Sequence, residues 1–375
     1  MKFFDRLTSD LTTLREAGNL RTLRLLPEDT LNLSGNDYLG ILNDTAFREG
    51  FYDSLTGEDR KLSAASSRLL TGNVPAAVAL EETLAQAYGT EAALVFGSGY
   101  HANTGILPAL VGPKSLVLSD KLNHASMIDG IRASGATFYR FRHNDLAHAR
   151  TFLERYAAEY EEVFVMTESV FSMDGDCTDL EALVKLKHDF PNVVLYLDEA
   201  HGVGVFGETG LGLAHAKGVH HEIDLLVGTF GKALCSTGAF VVCSSVIRET
   251  LINKMRPFIF TTALPPVNLA WTLYVFRALA GMTARRRHVL SMGQRLAEAI
   301  RGKGIACVSA SHIVPYVIGE NDATILEAQR FRQAGFYVLP IRPPTVPRGT
   351  ARLRFSLSAE IAEADFERLL TLFQH

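Results

Sequence analysis

Val193-Val194-Leu195-Tyr196-Leu197-Asp198-Glu199-Ala200-His201 and Leu225-Leu226-Val227-Gly228-Thr229-Phe230-Gly231-Lys232 each begin as a short apolar run and end in polar side chains. A run of this length with no polar alternation is what a strand buried on both faces requires, as in a parallel sheet. The pattern extends in both directions. Further apolar runs occur at Ala92–Phe96 and Ser115–Leu118, and further strand candidates at Thr137–Phe141, Val163–Met166 and Ala239–Cys243. Helical periodicity fills most of the gaps, at Val78–Tyr88, Met127–Ser134, Leu146–Tyr160 and Leu180–His188. Alternation of this type predicts an α/β fold with a doubly wound, mostly parallel, seven-stranded sheet. After Pro265-Pro266 the texture changes to long helical stretches, Val267–Ala280 and Ala284–Arg301, then short strands near Phe336–Ile341 and Ala351–Leu357. That change predicts a smaller C-terminal α+β domain. The opening reads as one amphipathic helix, Phe3–Leu26, and a turn-rich lead-in, Ser34–Leu42. The expected division is 1–42, 43–266 and 267–375.

The bulk composition fits this picture. With 375 residues, 47% of them apolar and 21% charged, the chain can bury a large core. A formal net charge of −4 gives no electrostatic reason to expect nucleic acid, and Arg285-Arg286-Arg287-His288 is too short to act as a basic patch. Cys177, Cys235, Cys243 and Cys307 lack CxxC spacing, which suits reduced thiols. No apolar run approaches a membrane span, so the expectation is a cytoplasmic enzyme with no membrane partner.

In an open α/β sheet ligands sit beyond the carboxyl ends of the strands. Asp198, His201 and Lys232 are all placed to reach that crevice. An acid that keeps a pyridine nitrogen protonated, together with a lysine that holds an aldehyde, is the set pyridoxal phosphate needs. Gly228 and Gly231 before Lys232 let the backbone approach a ligand, and burial would free its amine for base catalysis. Gly97-Ser98-Gly99-Tyr100 follows a strand and precedes a helix expected near Asn103, where amides and a hydroxyl can cradle a phosphate. His124, in Asn123-His124-Ala125-Ser126, can stack on a planar ring.

Each residue also has a structural reading. Asp198 can be a helix N-cap, His201 and His124 loop histidines, and the glycines a plain turn. Three other motifs compete with the cofactor reading. Asp198-Glu199-Ala200-His201 spells a helicase box, but no GxxxxGK[ST] loop accompanies it, which excludes a helicase. Gly202–Gly207 matches GxGxxG, leaving an NAD-dependent oxidoreductase as a remote alternative, although Gly210 and Gly212 fall where that motif needs a helix. His215, His220 and His221 lack the acid or cysteine that would complete a metal site, so no metal is expected.

Taken in order, Gly97–Tyr100, Asn123–Ser126, Glu168–Gly175, Asp198–Gly202 and Gly228–Lys232 resemble the α-oxoamine synthase family. Its members are fold-type I pyridoxal-phosphate transferases that condense an amino acid with an acyl thioester and release carbon dioxide. The resemblance implies that Lys232 holds the cofactor, Asp198 meets the pyridine nitrogen, His201 the ring oxygen and His124 the ring face. It further implies that Ser98, Gly99, Tyr100 and Thr229 hold the phosphate, that Ser172 lies near the ring oxygen, and that Thr261 or Thr262 reaches over from a second subunit. A homodimer with shared sites follows from that last point.

Arg354 and Arg342 resemble the arginines that bind the amino acid's carboxylate, while Arg21, Asn36 and Ser67 resemble substrate-side residues. The further motifs Asn36–Gly40, Ser67–Asn73, Thr261–Pro266 and Arg342–Pro347 most resemble the family's biotin-synthesis branch, and that resemblance implies L-alanine with a pimeloyl thioester of coenzyme A or acyl carrier protein. Glycine C-acetyltransferase, 5-aminolevulinate synthase and serine palmitoyltransferase chemistry stay open. The chain departs from the family pattern in three places. The lead-in before Asn36 is short, Ser63–Ser67 lacks the usual glycines, and Val74 and Ala77 stand where relatives often carry histidine.

Overall fold

The computed structural model of the chain describes residues 2–23 and 25–374. Its strands are β1 (Leu31–Asn32), β2 (Ala92–Phe96), β3 (Ser115–Asp120), β4 (Thr137–Phe141), β5 (Glu162–Glu168), β6 (Val193–Asp198), β7 (Leu225–Thr229), β8 (Ala239–Cys243), β9 (Ile313–Gly319), β10 (Phe336–Tyr337), β11 (Pro340–Ile341) and β12 (Ala351–Ser356). Strands β2 to β8 form the expected seven-stranded sheet, in the order β2-β8-β7-β6-β5-β3-β4. Neighbours are parallel except around β8, which runs antiparallel to both β2 and β7. The apolar runs are apolar because both faces are covered: β2, β3, β7 and β8 are buried along their whole length. Leu94, Phe96, Val117, Phe164, Met166 and Val241 from the sheet share a core with Ile106, Met127 and Ile131 from the helices Gly99–Leu110 and Ala125–Ser134. Those two helices press close together. A Cβ at Gly130 would lie 2.1 Å from the carbonyl oxygen of Asn103, so only glycine permits the contact.

The chain divides into two compact units, one of residues 36–172 with 176–289 and the other of residues 1–35, 173–175 and 290–375. This differs from the expected division at 42 and 266. Helix Pro266–Ala278 packs on helix Pro75–Tyr88, so it stays with the large sheet's unit instead of opening a new domain. In the second unit β1 pairs in parallel with β10, and β11-β12-β9 form a three-stranded antiparallel sheet. Pairing of β1 ties the amino-terminal lead-in to the carboxyl-terminal residues. Strand β9 and the helix Asn321–Gln333 have no counterpart in the sequence reading.

The first helix is shorter than expected, Phe3–Glu16 in place of Phe3–Leu26. Gly18 takes a left-handed φ of 64° just beyond its end, a usual stop for a helix. Beyond it Leu23 and Leu25 are fully exposed, so no amphipathic face continues there. No described helix is long and apolar enough to cross a membrane. The four cysteines form no disulfide.

Candidate active site

The strand ends build the site. Asp198 is the last residue of β6 and is buried. Its Oδ1 accepts the Ala200 N–H at 2.8 Å, and its Oδ2 accepts Nδ2 of Asn103 at 2.7 Å. Asn103 is itself fixed, donating also to Ser126 Oγ at 3.0 Å and accepting from the Tyr196 hydroxyl at 2.7 Å. Both carboxylate oxygens of Asp198 are therefore held by donors. The helix-cap reading of Asp198 fails, since no helix follows it directly: one oxygen closes the turn after the strand and the other is held by a buried amide.

Lys232 follows β7, and its Nζ lies 2.8 Å from Nε2 of His201. Nδ1 of His201 lies 2.7 Å from the hydroxyl of the fully buried Tyr38, which in turn donates to Oδ1 of Asn36 at 3.0 Å. A phenol has one proton, so with that proton on Asn36 the imidazole must carry its hydrogen on Nδ1. The lone pair of Nε2 then accepts from the amine. Asn36, expected on the substrate side, is therefore the far end of a chain that orients His201. Tyr38 belongs to the Asn36–Gly40 motif but has no assigned role in the sequence reading.

His124 caps the helix Ala125–Ser134, with Nδ1 2.7 Å from Ser126 Oγ and its backbone N–H donating to Glu168 Oε1 at 2.6 Å. Desolvation lowers the His124 pKa; the Lys232 charge adds to this and Asp198 opposes it. Glu168 ends β5 in register with Asp198. Burial first, and the Asp198 charge second, push its carboxyl up to about 8.

At the other end of the crevice Ser98 is the N-cap of a helix that begins at Gly99, four residues earlier than the expected start near Asn103. Ser98 Oγ accepts the His101 N–H at 3.1 Å, while the amides of Gly99 and Tyr100 occupy first-turn positions that a helix leaves without an internal acceptor. Thr229 borders this cradle: its Oγ1 would lie 3.7 Å from a Cβ at Gly99, and it accepts the Gly231 N–H at 3.2 Å. The Tyr100 phenol points elsewhere, donating to Asp129 at 2.7 Å, which leaves its backbone amide as its contribution here. Ser172 is half-buried in the loop after β5. Ser67 contributes its carbonyl, which accepts the N–H groups of Leu70 and Gly72 at 3.1 and 2.9 Å. Thr261 and the exposed Thr262 line a small cavity with Gly97, Phe96 and Arg68 of the same chain.

Arg21, Arg342 and Arg354 belong to the other compact unit. Arg21 lies outside the first helix and donates to Thr345 Oγ1 at 3.0 Å, beside a cavity of about 220 Å³ that Arg342 and Asn19 also line. Arg342 donates to the carbonyl of Gly18. Arg354 is half-buried on β12, two residues from Arg352, which is buried and paired with Asp174. Thr345, inside the Arg342–Pro347 motif, and Arg352 have no role in the sequence reading, because a hydrogen bond or ion pair between residues so far apart in the chain leaves no local signal.

The donor set fits pyridoxal phosphate. It offers a carboxylate with fixed charge for a ring nitrogen, an amine for an aldehyde, and helix-terminal amides with two hydroxyls for a phosphate. The competing motifs do not assemble. Gly202–Gly207 folds as turns with no helix following it directly, so the dinucleotide geometry is missing. His215, His220 and His221 form a ring stack with centroids 4.5 and 3.8 Å apart, and burial pushes the His220 pKa down to about 4. Among the described residues no group of histidine, cysteine or acidic side chains is arranged to hold a metal.

Comparisons with known proteins agree with this geometry. Residues 28–373 match the family of class I and II aminotransferases. A curated protein of Pasteurella multocida (strain Pm70), named "Putative 8-amino-7-oxononanoate synthase", is 53% identical over 345 residues, covering 92% of this chain and 89% of its own length. Among solved structures, an SPT with PLP internal aldimine superimposes with a TM-score of 0.89 at 30% identity, covering 99% of this chain and 96% of that one. An 8-amino-7-oxononanoate synthase from Francisella tularensis gives a TM-score of 0.76 at 27% identity, covering 92% and 97%.

Proposed function

The chain belongs to the class I and II aminotransferase family and is a pyridoxal-phosphate-dependent acyltransferase of the α-oxoamine synthase kind; on that premise we propose that it condenses L-alanine with a pimeloyl thioester, releasing carbon dioxide and the thiol, to form 8-amino-7-oxononanoate for biotin synthesis. The observation that carries the reading is the Lys232 amine held 2.8 Å from His201 Nε2, on the same strand edge as the buried Asp198. The relatives' names support the choice of substrates.

When bound, pyridoxal phosphate supplies an electron sink for negative charge at the amino acid's Cα. The chain's residues do the rest. Lys232 holds the cofactor, then takes the Cα proton as general base, a role worth about 10² to 10⁴ in rate. Asp198, its charge fixed by Asn103 and Ala200, keeps the ring nitrogen protonated. His201, oriented through Tyr38 and Asn36, meets the ring oxygen together with Ser172, and His124 covers the ring face. Ser98, Gly99, Tyr100 and Thr229 bind the phosphate. The family resemblance gives Arg354 the amino acid's carboxylate, for which a planar bidentate donor is apt, and gives Arg342, Arg21 and Ser67 substrate-side roles. A new carbon–carbon bond forms at the acyl carbon as the thiolate leaves, and decarboxylation follows.

The reading includes a homodimer in which Thr261 or Thr262 serves the partner's phosphate site. Exposed Leu70 and Phe260, 79% and 71% accessible, lie close in sequence to Arg68 and Thr262 of the small cavity, which supports a covered face there.

Thiol release measured across a panel of amino acids and acyl thioesters tests the function. L-alanine with a pimeloyl thioester is expected to give the highest kcat/KM, and running the pimeloyl group on coenzyme A and on acyl carrier protein separates the carriers. Higher values for glycine with acetyl-coenzyme A, or serine with palmitoyl-coenzyme A, would replace this reading with another member's.

A further inference from the structure

We propose that Glu168 is a positioning residue of this site: it stays protonated, anchors His124 through the backbone, and leaves Asp198 as the single negative charge at the β5–β6 edge. The inference rests on the roles given above to Asp198 and His124. Glu168 and Asp198 end adjacent parallel strands in direct register, and they are 3% and 5% exposed. Two carboxylates paired across neighbouring strand ends in a dry site repel, which favours a proton on one of them.

The hydrogen bonds decide which. Asp198 accepts from Ala200 N–H and Asn103 Nδ2, at 2.8 and 2.7 Å. Glu168 accepts one, from His124 N–H at 2.6 Å. The better-solvated anion keeps its charge, so the proton resides on Glu168. The titratable groups that act on Glu168 are Asp198 at the end of β6, Lys232 after β7, His124 after β3 and Asp120 at the end of β3. Burial and the two aspartates favour the proton, Lys232 and the His124 amide oppose it, and the balance is a carboxyl raised to about 8.

The consequence for the site has two parts. His124 is the N-cap of its helix, so fixing its backbone N–H fixes the root of the ring that faces the cofactor. A neutral Glu168 also leaves the Lys232 amine and the ring nitrogen with one anion, Asp198, and not two. A second anion there would hold the Lys232 amine in its protonated form and leave less of it free to take a proton.

Infrared difference spectra of the holoenzyme between about pH 6 and about pH 10 test the proton directly. Wild type is expected to show a buried protonated-carboxyl band that disappears at the higher pH, and Glu168→Gln to lack that band at both. Turnover tests the positioning. Glu168→Ala is expected to lower kcat about 10²-fold with little change in KM, since it frees the root of His124. Glu168→Gln, which keeps the acceptor oxygen and stays neutral, is expected to recover at least about tenfold of that loss. The proposal is overturned if the Gln variant retains the band, if wild type shows no such band at low pH, if Gln is as impaired as Ala, or if Ala turns over like wild type. Should the Ala variant fail to fold, the spectra of wild type and Gln still decide. The infrared result does not depend on which substrates the enzyme uses, so failure here and failure of the substrate assignment are separable.

Discussion

Two acid–imidazole clusters stand at the carboxyl edge of the same sheet. In one, Asp198 ends β6 and His201 follows; in the other, Asp120 ends β3 and His143 follows β4. Both acids close the same local turn, accepting the N–H two residues on at 2.8 Å, Ala200 for Asp198 and Leu122 for Asp120. The next partner makes the difference. His143 has Nδ1 on Asp120 at 2.9 Å and Nε2 on Asp176 at 2.8 Å, and its ring stands edge-on against Phe171 at 4.4 Å. Burial alone would lower its pKa, but hydrogen bonds to the two carboxylates outweigh this and raise it to about 10. The ring is a fixed cation that pins Asp176, and with it the loop that carries Ser172. His201 instead stands between a phenol and an amine. An imidazole between two anions is locked in one protonation state, whereas one between neutral or basic partners can pass a proton along.

The largest expected effect that breaks this contrast is Lys232→Ala. Loss of the amine should remove the visible cofactor absorbance and lower turnover by at least about 10⁴-fold, as read by spectrophotometry and thiol release. Next comes Asp198→Asn, which keeps the steric shape but not the charge. It should retain some bound cofactor yet lose Cα-proton exchange in deuterated water, and normal exchange would refute the electron-sink role given to Asp198.

The other cluster should respond in stability. His143→Ala leaves the fully buried Asp120 without its cation and should cost about 3–5 kcal/mol in denaturant unfolding. Its pH signature is specific. Between about pH 6.5, where a free histidine titrates, and the folded value of about 10, the native state holds a proton that the unfolded state has released. Stability contributed by His143 is therefore complete below that window and falls as pH rises through it. Wild type should show this decline and His143→Ala should not. The smallest effect is at Ala65, whose φ of 52° is left-handed. It lies in the stretch where relatives carry glycine, and Ala65→Gly should raise stability by up to about 1 kcal/mol, since the strain relieved exceeds the added chain entropy.

Much of this was legible in the chain. The seven strand segments became the seven strands of the large sheet, most of them because a strand buried on both faces leaves a continuous apolar mark, while the edge strand β4 is largely exposed. The positions of Asp198, His201, Lys232 and His124 at or beyond strand ends, and of the Ser98–Gly99 turn, were also readable, since strand ends and glycine turns are local features. The length of the first helix was misjudged because leucines continue past Gly18, and periodicity does not show that they lie outside the helix. The boundary between the units was misplaced because Pro265-Pro266 marks the start of a helix, not the end of a unit. Asn103, Tyr38 and Glu168 were passed over as parts of motifs; each acts through a partner on another element.

The sequence by itself determined which elements form and which residues stand at their ends, because burial period, glycine and proline act within a few residues. Only the tertiary structure decided which donors reach each buried acid and which partners hold each histidine. Those outcomes depend on donors that arrive from elsewhere in the chain: Asn103 is 95 positions from Asp198, and Asp176 is 33 from His143. In a buried site one such hydrogen bond or ion pair sets the protonation state.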